Sequence, residues 1–494
     1  MRWFHRSLPA TFVLPASMAN AAHLRMSGTS LDFNARPQNL ASMSGSSNLS
    51  NVVNMRYTVN ATLGGESVTL MVDTGSSDFI VTKQIPSASV VNEQYNVTIE
   101  YGIGKAAGGV YSATLDLLDT SISNQYYMYD PSSQAAGGTD GLLGLGPGEG
   151  SMILSQANNN ATASPPIDRI FAINNNTDNY VGIHLGRSND TNNAYPGDLT
   201  VGSPLADFSN VLNQPKLEVT QVQQSIRSYQ HWQTYLDQDG IKGPDGTRIP
   251  MKSRVTGSEH PNKANVMLDT GYTFPQVPAH VAKALYQDIP GAQLQNTTIA
   301  SGLLWTLPCD QKVSASFYFA GVEFPIHPLD LNFKPVTTDV VPGTNVENAI
   351  CYGAFQPYEG NLMVDGVIAY DMILGMAFLR NVYMSINYGP PSNLNGAPTQ
   401  SFIQLLPITN ATQACGEFYQ ERQPDADIDS LCSDPTPSKL KIPAWEIGVI
   451  VAASMVFLLT ISLCFVCFRR SKQFKQLNLP NKRHRGKGMF PQFR

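Results

Sequence analysis

The sequence predicts an all-β protein of two similar lobes, followed by a single C-terminal transmembrane helix. Three observations lead to this fold class. Short apolar runs alternate with turn residues through most of the 494 residues, which include 39 Gly and 33 Pro, and this pattern is typical of strands and tight turns. Two apolar runs end in the same Asp-Thr-Gly motif, 196 residues apart (269 − 73). A third run is uncharged and long enough to cross a membrane.

The N-terminal residues 1–21 are predicted to be a signal peptide. Arg2 and Arg6 precede a short apolar stretch, and residues 19–21 (Ala-Asn-Ala) have the small-x-small pattern of a cleavage site. Residues 22–51 are rich in Ser, Asn, Ala and Met. We interpret them as a pro-segment or a flexible lead-in.

Residues 52–210 and 211–410 are predicted to form the N-terminal and C-terminal β-lobes. Each contains an apolar strand that leads directly into Asp-Thr-Gly, and each later contains an apolar pair that ends in Gly, at 142–144 and 373–375. A repeat at about one domain length indicates that each lobe supplies half of a shared site. One helix is predicted, over residues 279–289, because Pro278 precedes an apolar run of helical period.

The repeated motif supplies two carboxylates, and a pair of carboxylates can hydrolyse a peptide bond. Close carboxylates cannot easily both ionise, so one of them retains a proton. The ionised partner takes a proton from water, and the protonated partner gives one to the substrate carbonyl oxygen. We therefore predict that Asp73 and Asp269 are catalytic. The predicted supporting residues, which supply tight turns and hydrogen bonds around them, are Thr74, Gly75, Ser76, Thr270 and Gly271.

These motifs resemble those of the pepsin family of eukaryotic aspartic proteases, over residues 52–406. The shared proton described above is the best-known property of that family. Residues 71–81 (MVDTGSSDFIV) and 267–278 (MLDTGYTFPQVP) resemble its two active-site signatures. Residues 140–146 and 373–380 resemble the strands that pass behind the aspartates. The resemblance implies a membrane-anchored, fungal-type member with two β-lobes around a cleft that binds an extended polypeptide substrate, and a preference for apolar residues beside the cleaved bond.

The resemblance also implies a flap, and this sequence departs from the family pattern at several positions. Residues 99–104 (IEYGIG) resemble the flap hairpin, so Tyr101 and Gly102 are predicted to close over the substrate. Tyr272 follows the second Asp-Thr-Gly, where the family usually has Ser or Thr. This departure keeps an alternative open, a catalytically impaired, membrane-tethered glycoprotein that binds peptides. The other departures are Ile80, where many members have Trp, and Met376, where Asp is frequent.

Four cysteines precede the apolar C-terminal segment, and four cysteines allow three pairings. Proximity in sequence favours Cys309–Cys351 and Cys415–Cys432, and a secretory route favours oxidation. The family resemblance implies the first of these pairs as well.

Eight Asn-x-Ser/Thr triplets also precede the apolar segment, and none follows it. Such triplets are acceptors for N-glycosylation in secreted proteins. The predicted glycosylation sites are Asn48, Asn60, Asn96, Asn160, Asn175, Asn189, Asn296 and Asn410.

The C-terminal residues are predicted to form a membrane anchor. Residues 411–443 are rich in Pro, Asp and Ser and are interpreted as a stalk. Residues 444–468 are predicted to be a transmembrane helix. Residues 469–494 contain nine Lys or Arg and no acid, which places this basic tail in the cytosol, next to anionic lipid. The expected protein is therefore a single-pass type I membrane protein at the cell surface, with the vacuole or Golgi as alternatives.

Other functional classes are less well supported by the sequence. No His-Glu-x-x-His occurs, and the eight His show no metal-ligand spacing. We expect no metal and no cofactor. Nucleic acid is not an expected partner, since the basic tail follows a membrane segment. The expected partners are polypeptide substrates and membrane lipid, and the expected protein is a monomer.

Overall fold

Strands and turns make up most of the fold, as the spacing of turn residues predicts. The computed structural model describes residues 22–25, 27–29, 56–100, 105–133, 136, 138–174, 179–187, 197–296, 303–334, 350–358, 363–364, 366–389 and 401–432. The predicted signal peptide, transmembrane helix and basic tail lie outside these residues. In the part of the chain that is described, no helix is long and apolar enough to cross a membrane.

Thirty strands are described. Those of the first half are β1 (Ala22–Arg25), β2 (Ser27–Thr29), β3 (Arg56–Leu63), β4 (Glu66–Asp73), β5 (Phe79–Val81), β6 (Ser89–Val90), β7 (Asn96–Glu100), β8 (Lys105–Leu117), β9 (Thr120–Tyr129), β10 (Gly141–Gly144), β11 (Tyr180–Leu185) and β12 (Gly197–Val201). Those of the second half are β13 (Leu217–Glu218), β14 (Gln233–Tyr235), β15 (Ile241–Lys242), β16 (Arg248–Ile249), β17 (Asn265–Leu268), β18 (Gln276–Pro278), β19 (Gln293–Asn296), β20 (Leu303–Pro308), β21 (Ala315–Phe319), β22 (Val322–Ile326), β23 (Asn332–Phe333), β24 (Ile350–Gly353), β25 (Gln356–Tyr358), β26 (Met363–Val364), β27 (Val367–Ile368), β28 (Met372–Leu374), β29 (Val382–Asn387) and β30 (Phe402–Pro407).

The helices among these strands are short. They are α1 (Met152–Gln156), α2 (Pro166–Ile173), α3 (Ala279–Tyr286), α4 (Pro328–Leu331), α5 (Met376–Leu379), α6 (Ala411–Arg422) and α7 (Ile428–Cys432), with 3-10 turns at Gly148–Gly150, Ala161–Ala163, Ala206–Asn213 and Gln224–Tyr229. Helix α3 confirms the one helix predicted in the lobes and ends three residues earlier than expected.

The two halves repeat one local arrangement of strands. In the first half, β10 is parallel to β4 and antiparallel to β5. In the second half, β28 is parallel to β17 and antiparallel to β18. These central strands are buried on both faces, since every residue of β10, β17 and β28 is buried, which is why they are continuous apolar runs. The internal repeat in sequence is therefore also a repeat in structure.

A six-stranded sheet joins the halves, in the order β1-β12-β11-β29-β30-β13. The pairing of β11 with β29 crosses the boundary that was predicted at residue 210. Strands β1 and β2 pair with β12 and β3, so part of the predicted lead-in belongs to two sheets. Composition did not reveal these strands because the segment is polar and short.

A buried ion-pair cluster joins the end of β11, in the first half, to α4 and the end of α5, in the second half. Asp330 in α4 accepts hydrogen bonds from Arg187 Nη2 at 2.5 Å and from Arg380 Nε at 2.6 Å. Asn381 Nδ2 also donates to Asp330, at 3.1 Å. The cluster is nearly dry, with Asp330 2% and Arg380 5% exposed. Arg187 follows β11, so the cluster connects both halves of the chain.

The first part of the predicted stalk is a helical hairpin and not a stalk. Asn410 caps α6 by accepting a hydrogen bond from Gln413 N at 3.0 Å. Phe418 and Tyr419 are buried on α6 and pack with residues of α7 and α4. The Cys415–Cys432 disulfide closes the hairpin. The Pro- and Asp-rich composition of residues 411–443 suggested a stalk, but it hid an apolar helical face in α6.

Candidate active site

The first predicted catalytic residue, Asp73, is the last residue of β4, where the central strand enters a tight turn. Its carboxylate accepts hydrogen bonds from Gly75 N at 2.8 Å and from Ser76 Oγ at 2.5 Å. Only 5% of the residue is exposed. The carboxylate is therefore fixed by its own turn.

Asp269 stands at the equivalent position, directly after β17. Its carboxylate accepts a hydrogen bond from Gly271 N at 2.8 Å, and 6% of the residue is exposed. The backbone N–H of Tyr272 also favours the ionised form. A hydroxyl equivalent to that of Ser76 is missing from the sequence at this position, where Tyr272 stands.

The threonines of the two motifs connect the lobes in a symmetric network. Thr74 N donates to Thr270 Oγ1 at 3.0 Å, and Thr270 N donates to Thr74 Oγ1 at 2.9 Å. Each hydroxyl then donates across the interface, from Thr74 to Leu268 O and from Thr270 to Val72 O, both at 2.9 Å. Both threonines are fully buried. The network brings the two motifs face to face, as the sequence repeat predicts.

The glycines of the motifs let the two carboxylates approach. A Cβ atom on Gly75 would lie 2.3 Å from Asp269 Oδ2, and one on Gly271 would lie 2.4 Å from Asp73 Oδ1. Either distance is far below a van der Waals contact. Each glycine therefore touches the aspartate of the other lobe, and no larger residue fits there.

The two carboxyl groups differ in how their surroundings affect ionisation. Burial raises the pKa of Asp73, and hydrogen bonds from Ser76, Gly75 and Asp269 act in the opposite direction. Burial raises the pKa of Asp269 as well, and the charge of Asp73 and a hydrogen bond to it raise that pKa further, to well above its ordinary value. Asp73 therefore ionises first, and the remaining proton of the pair resides on Asp269.

A buried carboxylate next to the first motif anchors the turn. Asp78 accepts hydrogen bonds from Ser151 Oγ at 2.6 Å, Met152 N at 2.9 Å and Ile153 N at 3.1 Å. These donors form the N-terminus of α1, where backbone N–H groups lack partners inside the helix. The role of Asp78 cannot be seen in the sequence, because its partners are 73 to 75 residues away.

The departures from the family pattern have different surroundings. Ile80 and Met376 are buried, at 0% and 1% exposed, in the apolar core. Tyr272 is half-buried beside Asp269. The predicted flap residues Tyr101 and Gly102 lie outside the described residues. The strands on either side of them do pair, with Glu100 opposite Lys105, which is the hairpin that the sequence predicts.

Two residues near the aspartates, His231 and Tyr370, are not indicated by any sequence motif. His231 contacts the ring of Tyr370, with ring centroids 5.9 Å apart. The charge of Asp269 contributes to raising the pKa of Tyr370. A hydrogen bond with the Gly75 backbone acts to raise the pKa of His231, although burial lowers it overall. Neither residue belongs to a recognisable motif, and only the strand pairing brings them to the aspartates.

The other predicted sites are partly described. The structure forms both predicted disulfides, Cys309–Cys351 and Cys415–Cys432, with Cα–Cα distances of 4.9 and 5.6 Å. Five predicted glycosylation sites are exposed, namely Asn60, Asn96, Asn160, Asn296 and Asn410. The other three, Asn48, Asn175 and Asn189, lie outside the described residues. Within the described ranges, no cluster of three His, Cys, Asp or Glu could hold a metal ion.

Comparison with known proteins agrees with this geometry. A family model described as eukaryotic aspartyl protease matches residues 56–393. The chain is 25% identical over 320 residues to major aspartyl peptidase 1 of Cryptococcus neoformans var. grubii, and 24% identical over 306 residues to an aspartic protease of Phaffia rhodozyma. The alignments cover 64% and 57% of this chain, and 58% and 65% of the two relatives. The chain thus matches less than two thirds of the length of either relative.

Proposed function

The chain belongs to the eukaryotic aspartyl protease family, and from this we propose that it is an aspartic endopeptidase with Asp73 and Asp269 as its catalytic pair. The main support for the proposal is the symmetric threonine network, which joins the two motifs. It places each buried carboxylate next to the glycine of the opposite motif. Two buried carboxylates in contact are costly for stability unless they share a proton. That shared proton is the one that peptide hydrolysis uses.

The reaction divides between the two groups according to their pKa values. Ionised Asp73 accepts a proton from a water molecule, and the resulting hydroxide adds to the peptide carbonyl carbon. Asp269 donates its proton to the carbonyl oxygen, which gives a neutral tetrahedral diol. Asp73, now protonated, gives its proton to the amide nitrogen while Asp269 takes one from a hydroxyl of the diol. The C–N bond breaks, and the products are a carboxyl group and an amine.

The rival interpretation is a catalytically impaired peptide-binding glycoprotein, which Tyr272 kept open. Three features argue against it. Both carboxylates are in place, the Thr74–Thr270 network is complete, and Gly271 N supplies the bond to Asp269 that a hydroxyl would only supplement. Nothing in the described residues favours the rival.

We propose further that the protease is tethered to a membrane of the secretory pathway, with the lobes outside or in the lumen. Its support is the uncharged apolar run before a tail of nine basic residues. Alkaline extraction of membranes from cells that make the full chain tests this. The intact chain should stay in the pellet, and a chain that stops at residue 443 should leave it.

The test of activity is peptide cleavage by the purified full-length chain. A scan from pH 3 to 7 with a mixed peptide library should show cleavage that a statine-type transition-state inhibitor blocks. Asp73→Asn keeps the side-chain shape but cannot accept the proton from water, so cleavage should fall by about 10³-fold or more. Asp425→Asn is the matched control, since Asp425 is exposed and lies between α6 and α7.

A folded wild-type chain that cleaves no peptide and still binds the inhibitor would contradict the enzymatic proposal. That result would support the peptide-binding alternative. Equal cleavage by wild type and Asp73→Asn would assign the activity to a contaminant.

A further inference from the structure

The side chain of Lys312 contacts the disulfide that closes the C-terminal hairpin of α6 and α7. Its Nζ atom lies 3.3 Å from Cys415 Sγ and 5.8 Å from the centroid of the Tyr419 ring. Lys312 is half-buried, and among the described residues no carboxylate pairs with it. Burial lowers the pKa of Lys312 from its ordinary value of 10.5, which is far above neutrality. The disulfide therefore has a cation without a counter-charge beside one of its sulfurs.

A cation at this place affects what happens when the disulfide is cleaved. The intact bond carries no charge, but its cleavage by a thiol releases one sulfur as a thiolate. If Cys415 is that sulfur, its negative charge forms next to the ammonium group of Lys312, which stabilises it. Exchange is faster when the leaving sulfur is the more stable thiolate. The contact therefore favours cleavage in one direction, with Cys415 as the leaving sulfur.

The other sulfur belongs to a helix with few buried contacts. Helix α7 has five residues, and none of them is buried. Cys432 is its last residue and is partly exposed, and Leu431 next to it is 45% exposed. Only Ile428 and Cys432 of this helix pack against the buried residues of α6. Such a segment opens locally at low cost in free energy, so a thiol can reach Cys432.

The other disulfide, Cys309–Cys351, provides a comparison within the same molecule. It also has a cation beside it, since Arg422 Nη1 lies 3.1 Å from Cys351 Sγ, so charge alone does not distinguish the two bonds. Cys351 is fully buried in β24, opposite Leu307 of β20 and thus close to Cys309. After cleavage, this strand pairing keeps the two sulfurs together, and their high effective concentration re-forms the bond. The hairpin has no strand pairing of this kind, so its two sulfurs separate more readily.

We propose that Cys415–Cys432 is a site of reversible thiol–disulfide exchange, which a dithiol reductant cleaves with Lys312 beside the leaving sulfur. A thiolate of the reductant attacks Cys432 Sγ and forms a mixed disulfide, and Cys415 leaves with the electron pair of the old bond. The second thiolate of the reductant then attacks its own sulfur in the mixed disulfide, and Cys432 leaves as a thiolate. The protein has gained two electrons, and the reductant has become a disulfide.

Reduction at this site is expected to release α7 and to leave α6 in place. Four residues of α6 are buried, and Glu417 on this helix lies 2.9 Å from His327 in the second half. Asp73 and Asp269 are in other elements. The site therefore acts on the segment that leads out of the second half, and the inference does not depend on the proposed protease function.

The first experiment compares the two disulfides in the folded, purified full-length chain. The chain is incubated with a dithiothreitol series at mildly alkaline pH, the exchange is stopped with acid, and free thiols are alkylated. Peptide mapping by mass spectrometry then measures each cysteine pair separately. Cys415–Cys432 should be half-reduced at a dithiol concentration at least about tenfold below that for Cys309–Cys351. Tryptophan fluorescence should stay unchanged, and oxidised glutathione should restore the bond.

The second experiment tests the direction of attack and the role of the cation. Glutathione at low concentration is a monothiol and gives a mixed disulfide, which should be found on Cys432, with the free thiol on Cys415. Lys312→Met removes the charge and keeps an apolar side chain, so reduction of the hairpin disulfide should become about threefold slower. Lys283→Met is the matched control, because Lys283 is an exposed residue of α3, and it should react as fast as wild type.

The outcomes that overturn the proposal are distinct from those expected. They are reduction of both disulfides together, or of Cys309–Cys351 first, in the wild-type chain. A glutathione adduct on Cys415 or a wild-type rate in Lys312→Met would also overturn it. None of these measurements uses peptide cleavage, so they remain decisive if the protease proposal fails.

Discussion

One side-chain hydrogen bond, from Ser76, distinguishes the surroundings of Asp73 from those of Asp269. Ser76 Oγ donates to Asp73 at 2.5 Å, whereas the donors to Asp269 are backbone N–H groups. A hydrogen bond to an ionised group stabilises the charge. The side that carries the hydroxyl is therefore the side that loses its proton first, and the roles of acid and base follow from one serine.

Ser76→Ala is expected to narrow the working range on its acid side. Without the hydroxyl, the pKa of Asp73 rises, because one of the bonds that opposes the effect of burial is lost. At pH 3 to 4, kcat/KM should fall by about tenfold, as a hydrogen bond to a charged group implies, and it should recover toward pH 6. The measurement is a pH profile of kcat/KM.

Ser132→Ala is the matched control for that profile. Ser132 Oγ also donates to a carboxylate, Asp130 Oδ1, at 2.7 Å, but away from the two aspartates. Its profile should overlay that of wild type. An unshifted profile in Ser76→Ala would contradict the assignment of Asp73 as the first group to ionise.

The residues of the site were predictable to the extent that they are local. Asp73, Gly75 and Ser76 interact within three residues of each other, so their motif shows their chemistry. Asp78 and its partners Ser151 and Ile153 are far apart in sequence. His231 and Tyr370 belong to no motif and meet only after the second central sheet has formed.

Among the elements, the C-terminal hairpin of α6 and α7 differs most from its expectation. Hydrogen bonds and an ion pair attach the hairpin to the rest of the second half. Among these, His327 Nε2 and Glu417 Oε2 are 2.9 Å apart, and Gln423 Nε2 donates to Asp310 O at 2.8 Å. The family match ends at residue 393, so the hairpin is an addition beyond it. Its strongest single constraint is the disulfide that closes it.

Replacing Cys415 and Cys432 together by Ser should lower the free energy of unfolding by about 3 kcal/mol, since a cross-link over a loop of this length restricts the unfolded chain by about that much. The Tm should fall by several degrees, and peptide cleavage at 25 °C should persist, because the aspartates are in other elements. Differential scanning calorimetry measures the first effect.

The control replaces by Ser the two cysteines of the predicted transmembrane segment, Cys464 and Cys467, which removes the same number of cysteines but neither of the two disulfides. We expect an unchanged Tm for that variant. If loss of the 415–432 pair left the Tm unchanged as well, the hairpin would contribute nothing to the stability of the lobes.

The elements differ in how well sequence indicates them. The central strands β10, β17 and β28 are buried on both faces, so they are short apolar runs, and β4 is buried from Leu70 to Asp73. Strands β1 and β2 are held in their sheets by backbone pairing with β12 and β3. Amino-acid composition does not indicate such pairing. The apolar face of helix α6 consists of four buried residues, Ala414, Cys415, Phe418 and Tyr419. The residues that follow have the composition of a stalk, which hides this short face in the sequence.

For the molecule as a whole, the Arg187–Asp330–Arg380 cluster matters most, because it connects both halves. Burial alone would raise the pKa of Asp330, but the charges of Arg187 and Arg380 outweigh burial and lower it to about 2. In the unfolded chain the carboxyl ionises near its ordinary pKa of 3.8. As the pH falls, the unfolded state binds a proton first, so this part of the stability is lost between about pH 4 and pH 2.

Asp330→Asn should destabilise the protein by about 3 to 5 kcal/mol at pH 7, because it leaves two buried guanidinium groups without their counter-charge. The difference from wild type should shrink below pH 4 and be smallest near pH 2. Urea unfolding at several pH values measures it. A difference that stays constant down to pH 2 would mean that the pair does not hold its charge as described. Asp425→Asn, at an exposed position, serves as the control.

The two disulfides have a consequence for biosynthesis. The first cysteine in the sequence is Cys309, so the first half, with Asp73, leaves the ribosome before that residue. Both disulfides lie in the half that carries Asp269, and the two halves share a six-stranded sheet and the threonine network. A reducing environment during translation therefore reaches both catalytic aspartates through one half of the chain.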